Sequence, residues 1–72
     1  VDLPLEEIGN ASMFILGSHL SGPVGELIRE TARLFGFARV GRVVESRCRL
    51  AITGLAERGR VLIDGENITL IS

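Results

Sequence analysis

Apolar residues recur along this chain at helical spacing in three stretches, then alternate in two short β-branched runs near the end. From Leu5 to Leu20, the residues Leu5, Ile8, Ser12, Ile15, Leu16 and His19 fall on one side of a helix, with Glu6, Glu7 and Asn10 elsewhere. Pro4 stands near its start, where a ring-fixed φ is harmless. Gly9 and Gly17 each weaken such a helix by about 1 kcal/mol relative to Ala. Ser21-Gly22-Pro23 breaks the chain. A second helix is expected from Val24 to Phe35, with Val24, Leu27, Ile28, Thr31 and Phe35 on one face. Glu26, Arg29, Glu30 and Arg33 make its solvated face, and Gly36 stands where a helix-ending glycine belongs.

Phe37-Ala38-Arg39-Val40-Gly41 leads into a third helix, Arg42 to Arg58, closed by Gly59. Val44, Cys48, Ala51 and Leu55 share its apolar side and are expected to pack on Leu27, Ile28 and Phe35. Arg42, Ser46, Arg49 and Thr53 share the opposite side. Val61–Asp64 and Ile68–Ile71 read as two strands joined through Gly65-Glu66-Asn67, and Asp-Gly between β-branched runs is a strong hairpin signal. The expected fold class is therefore α+β, mainly α: three helices and a C-terminal β-hairpin in a single domain over residues 1–72.

Size and composition narrow the options. A domain of 72 residues buries only about 60% of the surface its unfolded chain exposes. With Cys48 as the one cysteine and His19 as the one histidine, neither a disulfide nor a structural zinc can add stability. Regular packing must supply it, and a 46% hydrophobic content allows that. A lone thiol fits a reducing compartment, so the expected location is cytoplasmic. No apolar run reaches the roughly 20 residues that a membrane helix needs, and the start is acidic where a signal peptide would be basic. The chain opens without a methionine, which reads as part of a larger protein.

The residues give no enzyme. There is no lysine, which excludes a Walker-A lysine and Schiff-base chemistry. Ser46 has no histidine near it in sequence, and Cys48 sits where a small core hydrophobe belongs. His19 is expected to be buried or half-buried, as a packing residue. No catalytic residue, metal ligand, cofactor or small-molecule substrate is expected. Asp2, Glu6 and Glu7 suit the positive end of the first helix dipole. Met13 and Phe14 do not fit that helix's apolar side; they are expected to lie exposed as a contact surface for the parent protein or a second copy.

Charge is more informative than its net value of -1. Residues 1–26 carry -4, residues 27–60 carry all eight arginines for a net +5, and residues 61–72 carry -2. The basic middle suits an anionic partner, although arginines also decorate ordinary solvated helix faces.

The order helix, break, helix, short turn, helix, hairpin resembles a winged helix-turn-helix, in which Gly22-Pro23-Val24 would take the place of the short first strand and the hairpin would be the wing. Within residues 22 to 70, GPVGELIRETARLFGFARVGRVVESRCRLAITGLAERGRVLIDGENITL is similar to a short uncharacterised domain of very large bacterial proteins. Those proteins combine helicase-like ATPase modules with a Vsr-like nuclease region, and the domain lies near their C-terminus. The resemblance implies a setting in nucleic-acid processing; this chain has no helicase or nuclease motif of its own. On that reading the third helix would face the major groove with Arg42, Ser46, Arg49 and Thr53. Arg39 and Arg60 would flank it on phosphates. Glu45, Glu57, Asp64 and Glu66 would oppose phosphate. The expected partner is thus nucleic acid, as duplex DNA, or alternatively the remainder of the parent protein in a docking role.

Overall fold

A computed structural model describes residues 4–71. The chain runs α1 (Leu5–His19), β1 (Ser21–Pro23), α2 (Val24–Leu34), α3 (Arg42–Glu57), β2 (Val61–Asp64) and β3 (Asn67–Leu70). Asp2, expected to meet the dipole of α1, lies outside the described residues; Glu6 and Glu7 do occupy its first turn. α1 starts directly after Pro4, whose carbonyl accepts the Ile8 N–H at 3.1 Å. Pro23 precedes α2 in the same extended conformation.

α2 and α3 each end one residue before the expected boundary, and for one reason. Phe35 and Arg58 close the helices, and Gly36 and Gly59 follow at φ 88° and 74°. The Gly36 N–H then reaches Arg33 O and the Phe37 N–H reaches Ala32 O, both at 3.0 Å. Gly59 N–H to Ala56 O and Arg60 N–H to Leu55 O repeat the pattern at 3.0 and 2.9 Å. This is the Schellman arrangement, which satisfies carbonyls the helix would leave unpaired. α1 ends without a glycine: Leu20 takes a positive φ of 68°, and its N–H bonds Leu16 O.

The hairpin turn has two residues, Gly65 (φ 62°) and Glu66, because Asp64 pairs with Asn67. β3 therefore begins one residue earlier than expected. It lies in the middle of a three-stranded antiparallel sheet ordered β1-β3-β2, where Ile68 faces Gly22 on one side and Ile63 on the other. The expected short first strand thus exists, over Ser21–Pro23, with Val24 already in α2.

Val44, Cys48, Ala51 and Leu55 are all buried, as is Ile52. α3 packs on α2, as expected, and more extensively on α1. Gly9 of α1 is buried opposite Leu55, with room for a methyl group between them. Leu27 and Ile28 join the core, while Phe35 is only partly covered. A polar contact crosses the core: the Ser12 and Thr31 hydroxyls, both fully buried, lie 3.2 Å apart and join α1 to α2. Val61 and Ile68 close the core from the sheet.

His19 departs from expectation. It is the last residue of α1, past the end of the buried stripe, and its side chain is 58% exposed with Nε2 3.8 Å from Glu30 Oε1. Leu5, at the other end of α1, is 38% exposed for the same reason. Met13 is also corrected: it is partly buried against the core, whereas Phe14 beside it is 74% exposed.

Two substitutions test this packing. Leu55→Ala should cost about 2–5 kcal/mol, a large part of a small domain's stability, and lower the urea midpoint accordingly. Gly9→Ala should act in the opposite direction. A Cβ built at Gly9 meets Leu55 Cδ2 at 3.8 Å, an ordinary contact, so the helix-propensity gain of about 1 kcal/mol is retained and the midpoint rises.

Candidate nucleic-acid interface

The outward side of α3 is set by its buried side. With Val44, Cys48, Ala51 and Leu55 turned inward, residues at the opposite phase must face solvent, and Arg42, Ser46, Arg49 and Thr53 are all exposed. The structure brings these four onto one surface. Arg49 is not free there: its Nε donates to Glu45 Oε2 at 3.0 Å, one turn back along the helix. Arg49 and Thr53 also border a shallow groove of about 180 Å³ whose other wall is Ile63 and Gly65 of the hairpin.

Arg39 and Arg60, the two expected flanking arginines, go to different places. Arg39 is exposed and lines a cleft between α2 and the α2–α3 connection. Arg60 lines a groove between α1 and α3 together with Leu5, Glu6 and Asn10. It is therefore grouped with an acidic part of α1, away from the surface carrying Arg49 and Thr53. The hairpin tip is acidic and open, with Asp64 and Glu66 both exposed.

Two features of this surface were not read from the sequence. Arg29 and Arg33, expected on the solvated face of α2, line the same cleft as Arg39. Their spacing, one helical turn apart, was the available signal. Arg29 donates to the Glu26 carboxylate, and that hydrogen bond with the guanidinium's charge holds the Glu26 carboxyl below its ordinary range. The second feature is apolar: Val43 and Leu50 are 62% and 56% exposed on the flank of α3, and Leu34 is 58% exposed at the end of α2. Leu34 and Phe14 line one open groove between α1 and α2.

Cys48 is 1% exposed at the centre of the core. Burial, and secondarily the Glu45 carboxylate, push its thiol above the ordinary value, the opposite of what a nucleophilic cysteine needs. Among the described residues no three of His, Cys, Asp or Glu come together, and no helix is long and apolar enough to cross a membrane.

No protein-family model matches the chain, and neither does any curated protein or solved structure.

The environment of Cys48 gives a pH prediction. Because the folded state holds the thiol neutral, its contribution is fully present below the ordinary thiol pKa and is lost as pH rises through the raised folded value. Native chain should accordingly react with a thiol reagent at pH 8 only at its unfolding rate. Labelling should become fast in urea above the midpoint. Rapid native labelling would contradict the burial described.

Proposed function

We propose that this domain is a non-catalytic winged helix-turn-helix module that binds duplex nucleic acid weakly, through phosphates, with α3 as the contacting helix and the β2–β3 hairpin as the wing. The observation that carries this reading is the exposed side of α3, where Arg42, Ser46, Arg49 and Thr53 stand together on a helix whose other side is buried in the core. Arginines there can grip phosphate or guanine edges, and the hydroxyls can bond to either. The element order α1-β1-α2-α3-β2-β3, with β1 completing the sheet beside the hairpin, supports the same reading. So does the net +5 of residues 27–60.

Affinity should be modest. Glu45 already engages Arg49, and Asp64 and Glu66 at the wing tip repel phosphate. Contacts of this type give dissociation constants of about 10⁻⁴–10⁻⁶ M at physiological salt. A setting inside a larger nucleic-acid-processing protein of the cytoplasm is part of the proposal and rests on the sequence resemblance alone.

A second reading has its own observation. Phe14 and Leu34, at 74% and 58% exposure, line one groove on the side of the domain formed by α1 and α2. Apolar exposure of this type fits docking onto the rest of a parent protein.

Fluorescence anisotropy of a labelled duplex at low salt separates the two. The parent chain should bind with little sequence preference. An Arg42→Ala, Arg49→Ala double variant should bind more weakly, and its log–log salt slope should fall by about 1 per phosphate contact removed. Equal binding by both would move the site off α3. Absence of binding by the parent at low salt and high concentration would favour docking.

A further inference from the structure

The cleft between α2 and the α2–α3 connection has a volume of about 340 Å³, within the lower range of small-ligand sites. Three arginines line it, Arg29, Arg33 and Arg39. Its apolar part comes from Ile28, Phe37 and Val40, the first buried and the others half-buried. A single carboxylate, Glu45, reaches the rim, and that group is already engaged by Arg49 at 3.0 Å. Arg29 is paired with the Glu26 carboxylate, on which Arg33 also acts at longer range; among the described residues neither Arg33 nor Arg39 makes a direct ion pair. Three arginines set against one already engaged carboxylate leave the mouth of the cleft positive, a field that favours an anion there.

The fold makes this convergence in a definite way. Arg29 and Arg33 are four residues apart and so stack on one side of α2. The Schellman turn at Gly36 then reverses the chain, with Phe37 N–H bound to Ala32 O at 3.0 Å, and carries Arg39 back over the same side. The first turn of α3 borders the cleft through Glu45, and its Gly41 cap supplies no side-chain hydrogen bond. The positive end of that helix dipole adds to the field.

We propose that this cleft is a phosphate-binding site, separate from the outward face of α3. Phosphate fits better than carboxylate. Guanidinium forks bind phosphate oxygens in pairs, and the forks of Arg33 and Arg39, with the Glu26-bound Arg29 beside them, match a group carrying several acceptor oxygens. The volume admits a diphosphate or a phosphodiester with part of its sugar, the latter resting on Ile28 and Phe37. The phosphate can belong to a nucleic-acid backbone or to a free phosphorylated small molecule, and these share the same recognition chemistry.

The test uses two titrations of the isotopically labelled 72-residue chain at low salt, followed by amide resonances. One titrant is sodium pyrophosphate and the other a short DNA duplex. Pyrophosphate should shift Gly25, Phe37, Ala38 and Val40. An Arg33→Ala, Arg39→Ala variant should bind it about tenfold or more weakly, since each lost contact is charge-assisted. Arg42→Ala should leave pyrophosphate binding unchanged. Both arginines of the double variant are exposed, so its far-UV dichroism should match the parent. Shared shifts with duplex and pyrophosphate assign the phosphate to nucleic acid; shifts with pyrophosphate alone assign it to a free ligand and count against the duplex-binding reading without touching this one. The proposal is overturned if millimolar pyrophosphate leaves the cleft resonances in place, or if the folded double variant binds it as the parent does.

Discussion

β3 hydrogen-bonds on both sides, to β2 within the hairpin and to β1 at the α1–α2 junction. Three further backbone bonds secure it: Val24 N–H to Glu66 O, Leu70 N–H to Leu20 O and Ile71 N–H to Arg60 O. A two-stranded hairpin alone is marginal in water. Pairing with β1 fixes this one to the start of α2, and the Leu20 carbonyl that accepts Leu70 N–H belongs to the one described non-glycine residue with a positive φ. The strained corner after α1 therefore has a structural return. It aims that carbonyl at the sheet and lets Ile68, fully buried, enter the core.

With the hairpin held in this way, the helices have little freedom. α1 contacts both other helices, and the Ser12–Thr31 hydroxyl pair sets its register on α2, because neither buried hydroxyl has water to turn to. On the other side Gly9 lies opposite Leu55 of α3. Every arginine of α3's outward face stands on this frame. The arrangement separates duties: the apolar side of α3 maintains the fold, and the opposite side is free to carry charge.

The charge itself is divided by the fold in a way that a net value conceals. Arg60 joins Glu6 beside α1, Arg49 is held by Glu45, and Arg29 is held by Glu26. Arg33 and Arg39 line one cleft without a direct ion pair, Arg33 acting on Glu26 only at longer range. A domain of nearly neutral overall charge can thus present a locally strong positive field, since exposed charges beyond a Debye length of about 8 Å are screened from one another.

The three helices and the hairpin were legible because their signals are local. Period 3.6 in α2 and α3, glycines at 36 and 59, and Asp64-Gly65 between β-branched runs each act over a few residues. The buried side of α3 followed from the same period. Periodicity states which side of a helix is apolar, but not where its partners stop. For that reason His19 and Leu5, in phase with the core of α1, proved exposed at its two ends, and Met13, out of phase, gained cover from the core. The sequence also could not show that α3 leans chiefly on α1, because which helices dock is decided by contacts between segments far apart in the chain. The candidate interface divides along the same line. Arg42, Ser46, Arg49 and Thr53 lie on one helix, so spacing alone placed them together. The grouping of Arg29, Arg33 and Arg39, and the removal of Arg60 to another surface, join residues from different segments; only the turn at Gly36 and the docking of the helices decided them.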